Sequence, residues 1–219
     1  MFGIIYTFVN IIDFLIRFYI FLLNFMRIFA LILFLFSALV ILNAQERTLY
    51  FTNGSFEGEA QDAVTPVGWH PCELGSTPDI LPGVWGVYQE PSDGDSYVGL
   101  ITRGDGSFES IGQRLSQSLK AHECYKFSID LARSPTYADY NQPIRLMVWG
   151  GKSRCDKKQL LFSSGPIRHA FWKTYQIKFT AKFPINYIIF EAYFEEEGKV
   201  VRGNILLDNL SPLVMCPRA

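Results

Sequence analysis

From Leu49 to the C-terminus the sequence is a succession of short runs rich in Val, Ile, Phe, Tyr and Trp, each closed by Gly, Pro, Asn or Asp, and no stretch sustains a helical period. This pattern excludes a helical bundle and alternating βαβ units, and it leaves an antiparallel sandwich or barrel. The strand-like runs are residues 48–56, 85–89, 97–102, 109–115, 125–132, 144–149, 172–180, 187–194 and 204–210. About nine strands is close to what a jelly roll needs, so the expected fold is an all-β sandwich of the jelly-roll kind.

Alternation assigns faces on three of these runs. Tyr125, Phe127, Ile129 and Leu131 point one way, as do Ile144, Leu146 and Val148, and as do Tyr175, Ile177 and Phe179. These residues are the expected core. The opposite faces carry Lys126, Ser128 and Asp130, then Arg145, Met147 and Trp149, then Trp172, Thr174, Gln176 and Lys178. A mixed polar and aromatic face of this sort is what a sugar platform requires. Ser92-Asp93-Gly94-Asp95 and Arg103-Gly104-Asp105-Gly106 are built of residues that tolerate positive φ, and both suit hairpin connections.

Residues 1–44 are different in kind, with only Asp13, Arg17 and Arg27 charged in an apolar run. Met26-Arg27, the apolar residues 28–42 and then Asn43-Ala44-Gln45 have the three parts of a secretory signal, with cleavage expected after Ala44. That signal is complete without residues 1–25, so the expected true start is Met26. The alternative is a pair of membrane helices, since residues 4–25 are long enough to span, and the protein would then stay anchored. Either way residues 45–219 face an extracytoplasmic space, secreted or at the cell surface. Their length suits one domain.

Without Asp13, Arg17 and Arg27, the chain's 20 basic and 21 acidic side chains become 18 and 20, a formal charge of −2, which gives no footprint for a nucleic acid. Cys72, Cys124, Cys155 and Cys216 are an even set in an exported domain, without C-x-x-C spacing, so two disulfides are favoured over a zinc site. His70, His122 and His169 have no ligand spacing, and neither Gly54-Ser55 nor Gly106-Ser107 sits in a nucleophile elbow. Glycoside hydrolysis asks for two carboxylates across a cleft. The nearest acidic cluster, Glu191 with Glu195-Glu196-Glu197, runs into a turn at Gly198 and suits a solvated tip. The chain is therefore expected not to be an enzyme, with a jelly-roll lyase or glycosidase as the least favoured class.

Two places remain for a ligand. Asn53-Gly54-Ser55-Phe56-Glu57 and Leu206-Leu207-Asp208-Asn209-Leu210 each set an acidic residue beside an apolar strand. Hard oxygens from Glu57 and Asp208 could hold calcium, or the two could simply be turn and edge residues. Sugar rings stack on Trp and Tyr while planar polar groups take their hydroxyls, which singles out Trp149 with Arg145 and Asp130, together with the loop aromatics Trp85, Tyr137 and Tyr140.

The order of N-G-S-F-E, Gly68-Trp69, Tyr97-Val98-Gly99-Leu100, Cys124-Tyr125-Lys126-Phe127-Ser128 and the closing L-L-D-N-L over residues 205–210 resembles carbohydrate-binding modules of the galactose-binding-like jelly-roll superfamily, across nearly all of residues 48–214. The resemblance implies a structural calcium on Glu57 and Asp208. It also implies that the strand 125–132 pairs antiparallel with the closing strand. Cys124 and Cys216 then fall at one end of the sheet, and Cys72 is left for Cys155. The four cysteines and the long stretch from Cys72 to Pro82 depart from the family pattern. The chain is also similar to exported surface domains of polymer-degrading bacteria. The implied role is a non-catalytic module whose partner is a glycan or, as the alternative, a protein of a cell-surface assembly.

Overall fold

The structure is a computed structural model that describes residues 17–34, 48–194 and 198–217. Contacts divide the chain into residues 1–46 and 47–219. In the first unit a helix, Arg17–Phe34, has a mean hydropathy of 1.8 over its 18 residues, long and apolar enough to cross a membrane. It runs through Met26 without a break. The expected cleavage point after Ala44 lies outside the described residues, as do Glu195, Glu196 and Glu197.

The second unit is a sandwich of two sheets. The first has the order β1-β4-β10-β7-β8, from His70–Pro71, Ser110–Leu119, Ile185–Tyr193, Arg145–Gly151 and Gln159–Pro166. The second runs β12-β5-β11-β3-β2, from Val214–Met215, Cys124–Ala132, Gly203–Asp208, Tyr97–Thr102 and Asp79–Leu81. β9 (Lys173–Thr180) pairs along β5, and β6 (Gln142–Pro143) lies parallel to β11.

The period of two along each strand builds the core. Phe127, Ile129 and Leu131 of β5, Leu146 and Val148 of β7, Ile188 and Phe190 of β10, and Val98 and Leu100 of β3 all meet between the sheets. Fully burying each such side chain stabilises the fold by roughly 1.5–3 kcal/mol. Tyr175 of β9 is half-buried and packs at the margin of this core, beside Ile177 and Phe179, which are buried in it. The intervening residues Tyr97, Ile101 and Leu206 join Leu81, Val87 and Tyr137 in a second cluster on the other side of the second sheet. The loops of residues 82–96 and 133–141 lie over that outer side.

β5 pairs antiparallel with β11, Leu206 opposite Ala132 and Asp208 opposite Asp130. The disulfides are Cys124–Cys216 and Cys72–Cys155. Two expected strands are absent. Over residues 48–56 only Leu49 bridges, to Leu213, because Asn53 (φ 52°) and Phe56 (φ 55°) turn the chain. The Asn53 side chain stabilises that turn by accepting from the Glu57 amide at 2.7 Å and donating to the Glu57 carbonyl at 2.9 Å. Residues 85–89 are a loop, entered through Trp85 at φ 53° and Gly86 at φ 76°. The turn at Arg103 carries the chain from one sheet to the other, after a single Thr102 to Phe108 bridge, where a simple hairpin was expected.

Candidate functional site

Arg145, Met147 and Trp149 do share the outer face of β7, all half-buried. Across the ladder they meet Tyr193, Glu191 and Ile189 of β10. The centre of that face is covered. The Trp149 indole N–H donates to Glu191 Oε1 at 3.2 Å, and the Lys157 ammonium pairs with both Glu191 and Glu73. Burial alone would lower the Lys157 pKa, but its bonds to the two carboxylates outweigh that and hold it above the usual lysine value. The Cys72–Cys155 disulfide ties residues 71–77 to residues 152–158 above the sheet. Gly112 and Gly151 make room for this cover. A Cβ at Gly112 would lie 2.8 Å from Cys72 Sγ, and one at Gly151 would lie 1.8 Å from the Asp156 carbonyl oxygen. Ile189 and Glu191 are consequently buried although they point outward.

Asp130 is not on this face. It belongs to β5 in the second sheet, is buried, and accepts from Ser92 Oγ at 2.6 Å and Asn209 Nδ2 at 3.0 Å. Alternation tells which side of a strand a residue takes, but not which sheet the strand joins, and β5 and β7 lie in opposite layers.

At the loop end of the second sheet the chain forms an open groove of about 380 Å³ between Gly86, Tyr88 and Gln89 on one wall and Ser134, Pro135, Thr136 and Ala170 on the other. Tyr88, which lines it, is 74% exposed; Trp85 and Phe171, the chain neighbours of the lining residues Gly86 and Ala170, are 45% and 68% exposed. Backbone and side-chain bonds hold the walls in place. Thr136 Oγ1 donates to the Gly86 carbonyl at 2.7 Å, Trp85 Nε1 to Asp62 at 3.0 Å, and Trp172 Nε1 to the Glu90 carbonyl at 2.8 Å.

Of the three loop aromatics expected at a ligand, only Trp85 is exposed, and it directly precedes the lining residue Gly86. Tyr137 is buried, its hydroxyl donating to Asp79, and burial keeps its pKa well above the usual tyrosine value. Tyr140 is half-buried with the Arg202 guanidinium 4.6 Å over its ring. Nothing in the sequence singles out Tyr88 or Phe171: Tyr88 lies in a strand-like run, where an aromatic defaults to core, and Phe171 carries no patterning signal.

Glu57 and Asp208 both grip the second half of the same 82–96 loop. Asp208 Oδ2 accepts from the amides of Ser92 (2.7 Å) and Asp93 (3.0 Å), and Glu57 accepts from the amide of Asp95 (3.1 Å). Asp208 is fully buried, which pushes its carboxyl up to about 7, with the Asp93 carboxylate adding to the shift. Its cross-strand neighbour Asp130 has a buried Oδ1 that accepts no hydrogen bond. The donors around Asp130, Asp208 and Glu57 are neutral amides and hydroxyls. An orphaned carboxylate oxygen beside a second carboxylate is a donor set suited to a hard cation.

No protein-family model matches the chain, and no curated protein matches it in sequence. Solved structures do match in fold. A cyclase from Fischerella sp., in apo form, superposes with a TM-score of 0.52 at 15% identity, over 80% of this chain and 99% of that one. The CBM22-1 xylan-binding domain of Paenibacillus barcinonensis Xyn10C gives 0.50 at 12% identity, over 80% and 97%. The domain is a β-sandwich with the jelly-roll fold. The K3 cleaved adhesin domain of Lys-gingipain from Porphyromonas gingivalis W83 is also similar, at 14% identity and a TM-score of 0.47, over 77% and 99%. Loop 82–96 links the two features: its Gly86, Tyr88 and Gln89 form one wall of the groove, and its Ser92, Asp93 and Asp95 amides are held by Asp208 and Glu57.

Proposed function

We propose that the protein is an exported, non-catalytic module that binds glycan in the groove beside Tyr88. The observation that carries this reading is an open groove lined by the solvent-exposed ring of Tyr88. Sugar C–H faces stack on such rings. The fold shared with a xylan-binding domain makes plant-type polysaccharides the first probes. Two disulfides suit an oxidising, extracytoplasmic compartment. A glycan array of the wild type and Tyr88→Ala tests the reading. Binding by the wild type that drops at least tenfold in the variant supports it, and no bound glycan, or equal binding by the variant, overturns it.

The calcium expected from the resemblance fits best between Asp130 and Asp208, with Glu57 holding the loop from its other end. Calcium would supply charge balance there and brace the binding loop. Addition of calcium to chelator-treated protein is expected to raise its melting temperature and its affinity for glycan together. An unchanged melting temperature would mean that the amide bonds alone hold the loop.

The protein-partner alternative draws on the same exposed aromatics, since Tyr88 and Phe171 could equally anchor a peptide. Retained capture of one envelope protein by the wild type, lost in Tyr88→Ala, with no glycan bound on the array, would favour it.

A further inference from the structure

We propose that His70, Cys72 and Cys155 form a second site, closed by their disulfide in the oxidised protein, that takes a divalent zinc-like ion when a dithiol reductant opens it. His70 opens β1 and Cys72 directly follows that strand, and both side chains lie over Gly112 of β4. The Cys72 amide donates to the Ser110 carbonyl at 2.9 Å, which fixes that end of the pair to β4. The imidazole nitrogen and the two sulfurs lie within 4.8 Å of one another. They stand over a glycine: a Cβ at Gly112 would meet Cys72 Sγ at 2.8 Å and His70 Nε2 at 3.2 Å, so the space they share exists only because that residue has no side chain.

A merely structural disulfide accounts for the sulfurs but not for the histidine. His70 Nε2 is buried and has no hydrogen-bond partner, a state that buried polar atoms rarely keep without reason. All three residues are half-buried, within reach of a small reductant. The chemistry balances as follows: a dithiol gives two electrons and two protons, becoming a disulfide itself, and the Cys72–Cys155 bond breaks to two thiols. The metal then displaces both thiol protons to solvent. Two thiolates and one imidazole are borderline-soft ligands that favour zinc in a tetrahedral set, with water in the fourth place. Cys124–Cys216 has no counterpart, because among the described residues the only such group is the one at His70.

Cobalt(II) is the probe, added to the full-length protein after reduction with a phosphine, which does not compete for the metal. The expected result is one cobalt per chain with a thiolate-to-cobalt absorption band. The band should persist when Cys124 and Cys216 are both replaced by Ser, be absent from the oxidised protein, and weaken at least tenfold in affinity in His70→Ala. Near-UV circular dichroism, recorded alongside, should show that the reduced, cobalt-loaded protein keeps its tertiary structure. Absence of the band, equal affinity in His70→Ala, or loss of the fold in the cobalt-loaded protein would each overturn the proposal.

Discussion

Single side chains here do jobs that differ from what their types suggest. Tyr137, an aromatic expected at a ligand, closes the second cluster and serves the buried carboxyl of Asp79, whose pKa burial raises to about 6. Tyr137→Phe keeps the ring and removes only the donor, so a loss of about 1–3 kcal/mol in urea unfolding at neutral pH is expected. A change near zero would mean that Asp79 is already protonated and satisfied elsewhere. Asp130, expected at a sugar, instead faces Asp208 across the β5 to β11 ladder. Asp130→Asn should abolish any calcium-dependent rise in melting temperature while leaving the fold intact, as checked by a thermal melt with and without chelator.

At the scale of elements, the strands were legible and the loops were not. β5, β7 and β9 fall where alternation of apolar and polar residues predicts them, because one face of each is buried between the sheets, while β3, β10 and β11 fall on expected strand-like runs rich in apolar residues, β3 and β11 being buried on both faces. The disulfide pairing that the resemblance implies, Cys124–Cys216 and Cys72–Cys155, is the one observed. β8 was missed because Leu160-Leu161-Phe162 is followed by Ser163-Ser164-Gly165-Pro166, which has the composition of a turn. The groove was illegible for a similar reason: its walls come from distant segments, Gly86 and Thr136 being 50 residues apart, and nothing local couples them. The stapled cover over β7 and β10 is the element most dependent on one bond. Replacing Cys72 and Cys155 by Ser should cost about 2–5 kcal/mol. It should also expose Trp149, seen as a red shift in tryptophan emission; an unshifted spectrum would mean that the Lys157 bridges suffice to hold the cover.

On the scale of the whole molecule, the sandwich is stitched to its loops through buried acids. Burial raises Asp208 and Glu109 to about 7 and Asp79 to about 6. Each folded-state pKa lies above its unfolded value near 4, so between about pH 4 and pH 7 the folded protein binds more protons than the unfolded chain. Stability therefore falls as pH rises through that window, and in chelator the melting temperature should be higher at pH 5 than at pH 8. A melting temperature that rose with pH would contradict this assignment. The same loop that depends on Asp208 carries Tyr88, so acid balance, loop position and ligand binding are linked.

The most direct test of that link is the affinity of two variants, Tyr88→Ala and Trp149→Ala, for the tightest glycan found on an array, measured by titration calorimetry at neutral pH. The groove predicts that Tyr88→Ala loses at least tenfold while Trp149→Ala, once shown to be folded, binds as the wild type does. Binding lost in Trp149→Ala and kept in Tyr88→Ala would contradict it and return the site to the outer face of β7.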